Sequence, residues 1–215
     1  MYNSCSHEEI WKTYAEIKDR VASVLCSMER ITAERQRGGF LAEFFFCLLT
    51  PQSKAREAHK SIEALRSQDL LEKGGQDEIK PFLKNVRFYN NKASYIIQNR
   101  QLALSGDFFN YVTGREADSR QIREYLVKNI IGYGYKEASH FLRNIGRGHN
   151  IAILDRHILK GLCETGCICE LPRSISRRVY LDLEKKMEEF SKQIKIELSY
   201  LDFVFWYRKT GDIFK

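Results

Sequence analysis

Residues 132–144 read Gly-Tyr-Gly-Tyr-Lys-Glu-Ala-Ser-His-Phe-Leu-Arg-Asn, with Lys136 at the mouth of what the pattern predicts is a helix. An amine attacks carbon only when it is neutral. At the ordinary lysine pKa of about 10.4, on the order of one molecule in a few thousand is neutral at pH 7. A fold that uses a lysine as a nucleophile must therefore favour the neutral form, through burial or the positive end of a helix. A lysine without such help is a solvated cation that can touch a phosphate. Nineteen positions on, Asp155 opens another apolar-periodic segment in Ile153-Leu154-Asp155-Arg156-His157-Ile158. A carboxylate in that place can cap the helix. It can also orient an amine, handle protons and stabilise positive charge developing on a reacting carbon.

The glycines explain how such a lysine could meet its target. Helical patterns over 117–130 and 136–145 leave only Ile131-Gly132-Tyr133-Gly134-Tyr135 between them. Glycine supplies positive φ and lets a phosphate approach the backbone with no Cβ in the way. The second helix starts at this hairpin, so its unpaired N–H groups and positive dipole end serve the same place. Such a grip holds a DNA phosphate without reading sequence, which makes Gly132 and Gly134 candidate DNA contacts. Ala138, Leu142 and Ile145 give the second helix an apolar face.

The remaining elements must hold this pair. Ser6-His7-Glu8-Glu9 is a capping-box pattern, and Ile10, Tyr14, Ile17, Val21, Val24, Leu25 and Met28 follow as one face of a long helix. Gly38-Gly39 is expected to end that unit, and 40–49 is apolar on all sides, as a central helix is. Thr50 and Pro51 read as the cap and first residue of the next helix. Further helices are predicted over 77–84, 89–104, 155–164, about 174–193 and 197–209. Alternation of period two is scarce. The expectation is an all-α fold of two helical subdomains with a cleft between them: a central one over about 40–130, and a second from about 1–39 with 131–215 that carries the hairpin and Asp155.

Composition bounds the partners. The 215 residues carry 35 Lys and Arg against 28 Asp and Glu, a net charge of +7 and a pI near 9.0, which fits a polyanion such as nucleic acid. No apolar run approaches the roughly 18 residues of a membrane span, and the longest, 44–49, lacks a signal peptide's position and flanks. An intracellular protein, of cytoplasm or nucleoid, is expected. Cysteines stand at 5, 26, 47, 163, 167 and 169. Cys26 and Cys47 read as small core residues. Cys163-x3-Cys167-x-Cys169 lacks the paired spacing of a zinc site, so no metal site is expected. Arg173, Arg177 and Arg178 read as a solvated helix face.

The segment Gly132–Ala138 resembles a helix-hairpin-helix motif. Ile151–Ile158 resembles the loop and catalytic aspartate that follow it in the base-excision DNA glycosylase superfamily, and the lysine-to-aspartate separation agrees with the lysine-bearing glycosylase/AP lyases. With GYGYKEASHFLRN, AILDRHIL and the final GDIFK, the whole chain is similar to the archaeal-type, second family of 8-oxoguanine DNA glycosylase/AP lyases. Its loop before the aspartate, Gly146-Arg147-Gly148-His149-Asn150, is glycine-rich but lacks the proline of many relatives. The iron–sulfur cysteine set of the endonuclease III branch is missing.

The resemblance implies a bifunctional enzyme acting on double-stranded DNA as a monomer. Lys136 displaces 8-oxoguanine and forms a Schiff base, β-elimination cuts the strand 3′ to the lesion, and Asp155 assists. No cofactor is implied beyond a monovalent cation at the hairpin. A base inside a duplex must be flipped out, and the resemblance gives the wedge position to Gln52. Phe88 and Trp206 would sandwich the base, and Lys215 and its carboxylate would reach the guanine edge. His157, two residues after Asp155, reads either as a contact to a flanking phosphate or as a helix residue with a local partner. Two rival readings are an endonuclease III-like enzyme for oxidised pyrimidines and a non-catalytic hairpin module that only binds DNA. A monofunctional adenine glycosylase would not need Lys136.

Overall fold

The structure, a computed structural model, describes residues 6–215; Cys5 lies outside the described residues. Every regular element among them is helical. In chain order these are α1 (His7–Ala33), α2 (Arg37–Leu49), α3 (Ala55–Arg66), α4 (Leu70–Lys73), α5 (Gln76–Ile79), a 3-10 turn (Lys80–Leu83), α6 (Tyr89–Leu104), α7 (Gly106–Thr113), α8 (Ser119–Asn129), α9 (Tyr135–Asn144), α10 (Arg156–Glu164), α11 (Arg177–Ile194) and α12 (Leu198–Thr210). The chain divides into two compact units. One is Glu29–Arg147; the other joins the described residues up to Met28 with Gly148–Lys215.

The central unit is built around α2, in which every residue from Phe40 to Leu49 is buried. Phe40 and Phe44 meet Phe108 and Phe141 edge to face, with centroids 5.2–5.8 Å apart. Such pairs add about 0.5–1.5 kcal/mol each beyond the area they bury. The hairpin belongs to this unit, not to the terminal one as the sequence reading had it. Tyr133 of the turn and the apolar face of α9, Phe141 included, cannot leave water without α2: Tyr133 is buried, and its hydroxyl donates to the Phe44 carbonyl at 2.7 Å.

Several local expectations are corrected. Gly38 and Gly39 do not stop a helix but lie in the first turn of α2, where a Cβ on Gly39 would stand 3.3 Å from Ile31 Cγ1. Thr50 ends α2 instead of starting α3; residues 51–53 form a turn and α3 begins at Ala55. The predicted helix over 77–84 is split between α5 and the 3-10 turn, with Pro81 in the latter. Cys26 is exposed. Helix α7 was not anticipated, because eight residues rich in aromatic and β-branched types carry little helix propensity. Tertiary burial of Phe108, Phe109 and Val112 and the Ser105 cap form it.

In the other unit, α1 buries Ile10, Ile17, Val21, Leu25 and Met28, much as its periodicity predicts. Its outer turns meet α12 through a Tyr207–Glu16 hydrogen bond and an Arg208–Glu9 ion pair. Helix α10 lies close on α12 because Gly161 has no side chain: a Cβ there would fall 2.4 Å from Phe205 Cδ1.

Candidate active site

Lys136 is the second residue of α9. Its side chain is 23% exposed. The amine donates to Thr50 Oγ1 at 3.3 Å, and Glu137 Oε1 lies 3.9 Å away. Thr50 is fixed in turn, its hydroxyl donating to the Cys47 carbonyl at 2.9 Å. A long ion pair of this kind contributes little, so Lys136 is directed mainly by the end of α2.

The turn before it is held by backbone contacts. Asn99, buried on α6, accepts from Ile131 N at 3.0 Å and donates to Ile131 O at 2.8 Å. The two glycines differ in what they do. Gly132 has φ +92°, and a Cβ would meet Tyr95 Cδ2 at 2.8 Å, so both conformation and space demand glycine. Gly134 is extended, caps α9 and donates its N–H to Glu137 Oε2 at 3.2 Å. Two contacts clamp the hairpin's helices together: Arg123, fully buried, donates to Ser139 Oγ, and Tyr135 donates to Glu124.

Gln52 and Phe88 are both exposed, and both are left-handed, with φ of 54° and 59°. Non-glycine residues adopt this region rarely. Gln52 sits in the turn after α2, not at a helix N-terminus as expected. Phe88 precedes α6, 51% exposed, with the Arg87 guanidinium 4.9 Å from its ring centre. Beneath both lies Lys92, 4% exposed, whose ammonium donates to Leu49 O and Pro51 O, both at 2.7 Å, and to Ser53 Oγ at 3.0 Å. Burial pushes the Lys92 ammonium down to about 8; the Glu137 carboxylate opposes the fall and the Lys136 cation adds to it. The unfolded chain keeps that proton up to the ordinary lysine range, so between about pH 8 and 10 it binds more protons than the folded one. Unfolding free energy then rises with pH across that window. In denaturant titrations, wild type should gain on the order of 2 kcal/mol relative to Lys92→Met between pH 7.5 and 10. Parallel pH profiles for the two proteins would contradict this.

Asp155 lies in the other unit. It caps α10, with Oδ1 accepting from His157 N at 2.7 Å and Ile158 N at 2.9 Å. Both cap bonds fall on one oxygen, leaving Oδ2 outside the cap. The segment that delivers it, Ile151–Leu154, is buried and irregular. Its backbone groups are satisfied by side chains of α11: Ala152 N donates to Glu184 Oε1 at 2.8 Å, Tyr180 OH donates to Ala152 O at 2.7 Å, and Leu154 N donates to Tyr180 OH at 3.3 Å. His157 meets the Trp206 ring edge-on, centroids 5.1 Å apart, and both His157 Nδ1 and Trp206 Nε1 are buried with no hydrogen-bond partner. Lys215 is half-buried. Among the described residues no group of three or more His, Cys, Asp and Glu side chains comes together as a metal site, and no helix is long and apolar enough to cross a membrane.

The structure thus brings Lys136 together with Thr50, and His157 together with Trp206. Thr50 reads from sequence only as a helix cap, and Lys92, Asn99, Tyr180 and Glu184 carry no local motif. One signal was available for two of them. Lys92 and Asn99 share the helical face of Ala93, Ile96 and Ala103, and polar residues on an apolar stripe must have partners.

Two helices joined by a glycine turn, with a lysine in the second and an aspartate-capped helix following, define a helix-hairpin-helix protein. A family model described as 8-oxoguanine DNA glycosylase matches residues 21–196. A protein of Fusobacterium nucleatum named 8-oxoguanine DNA glycosylase/AP lyase is 40% identical over 213 residues, 96% of each chain. A protein of the same name from Methanocaldococcus jannaschii is 35% identical over 207 residues, 94% of each chain. The crystal structure of M. jannaschii 8-oxoguanine glycosylase/lyase in complex with a 15mer DNA containing 8-oxoguanine superposes with a TM-score of 0.87 at 33% identity, covering 97% of this chain and 99% of that one. The 8-oxoguanine DNA glycosylase of Thermotoga maritima gives a TM-score of 0.87 at 29% identity over 97% of this chain and 98% of that one. The chain belongs to the 8-oxoguanine DNA glycosylase family.

Proposed function

We propose that this chain excises 8-oxoguanine from double-stranded DNA and cuts the strand 3′ to the resulting site. The observation that carries the reading is Lys136 in the first turn of the hairpin's second helix, with its amine directed by Thr50, in a chain of this family. In its neutral form Lys136 attacks the sugar C1′. The glycosidic bond breaks, its electron pair leaves with the base, and the base takes up a proton. The sugar opens to an iminium on Nζ. A proton then leaves C2′, and the released electron pair expels the 3′ phosphate. Water frees the lysine.

Asp155 supplies the carboxylate that handles protons and stabilises charge developing on the sugar. Its Oδ1 is engaged in the cap, which leaves Oδ2 for that work. Gly132, Gly134 and His157 serve phosphates. Gln52 fills the gap left by the flipped nucleotide, Phe88 and Trp206 offer aromatic faces to the base, and Lys215 reaches its edge. The reading needs no cofactor, because amine and carboxylate account for both steps.

A panel of duplexes carrying 8-oxoguanine, guanine or an oxidised pyrimidine, scored for scission without alkali, tests this. Cutting confined to the 8-oxoguanine duplex is expected. Preferential cutting at the pyrimidine lesion would move the chain to endonuclease III-like chemistry, and salt-sensitive binding without turnover would leave a binding module only.

A further inference from the structure

Lys92 takes part in none of the steps above, yet it is a buried lysine of the central unit, 4% exposed. It leaves the first turn of α6 and reaches the C-terminal end of α2 and the turn after it. An ammonium has three donors, and here each has one acceptor: Leu49 O, Pro51 O and Ser53 Oγ. Leu49 O stands at the negative end of α2, where a cation is favoured, and Pro51 O lies in the turn that follows. The third acceptor, Ser53 Oγ, also accepts from Arg87 N at 3.0 Å. Lys92 N itself donates to Phe88 O at 3.0 Å.

One residue therefore ties together two separate turns, 50–53 and 87–88. Each turn holds an exposed residue in the left-handed region, Gln52 and Phe88. Such backbone persists only where surrounding contacts over-determine it, and it concentrates at functional sites. The same helix end bears Thr50, which receives the Lys136 amine.

We infer that Lys92 is a positioning residue for nucleotide flipping: its three-way bond to Leu49, Pro51 and Ser53, extended by Ser53 to Arg87, sets the two strained turns that aim Gln52 and Phe88. This rests on the function proposed above. Base release needs an aimed wedge and an aromatic platform. Scission at a preformed abasic site has no base to place, and depends on Lys136. Loss of Lys92 should therefore separate the two activities. A merely destabilised protein would lose both in proportion to its folded fraction, so their ratio would not move.

The experiment compares wild type, Lys92→Met and Ser53→Ala in single-turnover excision of 8-oxoguanine and in scission of a preformed abasic duplex. Ser53→Ala keeps both carbonyl contacts of Lys92 and removes the hydroxyl that bonds Lys92 Nζ, Arg87 N and Pro51 O, so it carries the test where Lys92→Met does not fold. The ratio of excision to scission is expected to fall about tenfold or more in Lys92→Met and about threefold in Ser53→Ala. In parallel, 2-aminopurine opposite the lesion should lose most of the fluorescence rise that reports wedge insertion. A ratio within twofold of wild type in whichever variants fold overturns the inference while leaving the enzyme reading intact. Wild type that does not excise 8-oxoguanine overturns both.

Discussion

Lys136→Gln should abolish strand scission and lower 8-oxoguanine excision by on the order of 10⁴-fold or more, because it removes the amine that bonds to C1′. Glutamine keeps a long polar side chain and can still bond Thr50 Oγ1. The lysine's present attachments are one hydrogen bond and one long ion pair, so stability should change by less than about 1 kcal/mol. Affinity for undamaged duplex should fall only by the share of a single charge, with a slightly shallower salt dependence. The contrast between catalysis and binding is the point. A few-fold loss in all three measurements would make Lys136 a surface cation beside a phosphate.

The second large effect is at Asp155, where one side chain has two tasks that substitutions can separate. Asp155→Asn keeps a side-chain oxygen able to accept from His157 N and Ile158 N, and asparagine is as good a cap as aspartate. Folding should be nearly unchanged, while excision falls about 10²–10⁴-fold for want of the carboxylate. Asp155→Ala loses the cap as well and should cost about 1 kcal/mol of stability. Single-turnover rates and thermal melts on the three proteins decide the matter. If Asp155→Asn matches wild type in rate and only Asp155→Ala is impaired, the residue is a helix cap and nothing more.

What the sequence revealed, and what it hid, divides along physical lines. Helices α1, α2, α6 and α9 were legible because long apolar stripes or all-round burial leave few alternatives. The helix starts at Lys136 and Asp155 were legible because one is marked by glycine and the other by cap chemistry. The 50–54 region misled because Thr-Pro is as good a helix opening as a turn; Lys92, 43 and 41 residues away from Leu49 and Pro51, bonds their carbonyls and holds the chain open there. The residues that deliver Asp155 were hidden for a similar reason. Tyr180 and Glu184 serve the backbone of 151–154 from α11, and no local pattern announces a partner that far along the chain. The hairpin lies in the central unit because the apolar face of α9 is buried on α2, a demand that adjacency along the chain does not reveal.

The most direct measurement is reduction with borohydride during turnover on an 8-oxoguanine duplex, followed by peptide mapping of the trapped protein. One covalent adduct is expected, formed by wild type, with the reduced sugar on Lys136 Nζ. No adduct, an adduct on another amine such as Lys92 or the N-terminus, or an equal yield from Lys136→Gln would contradict it.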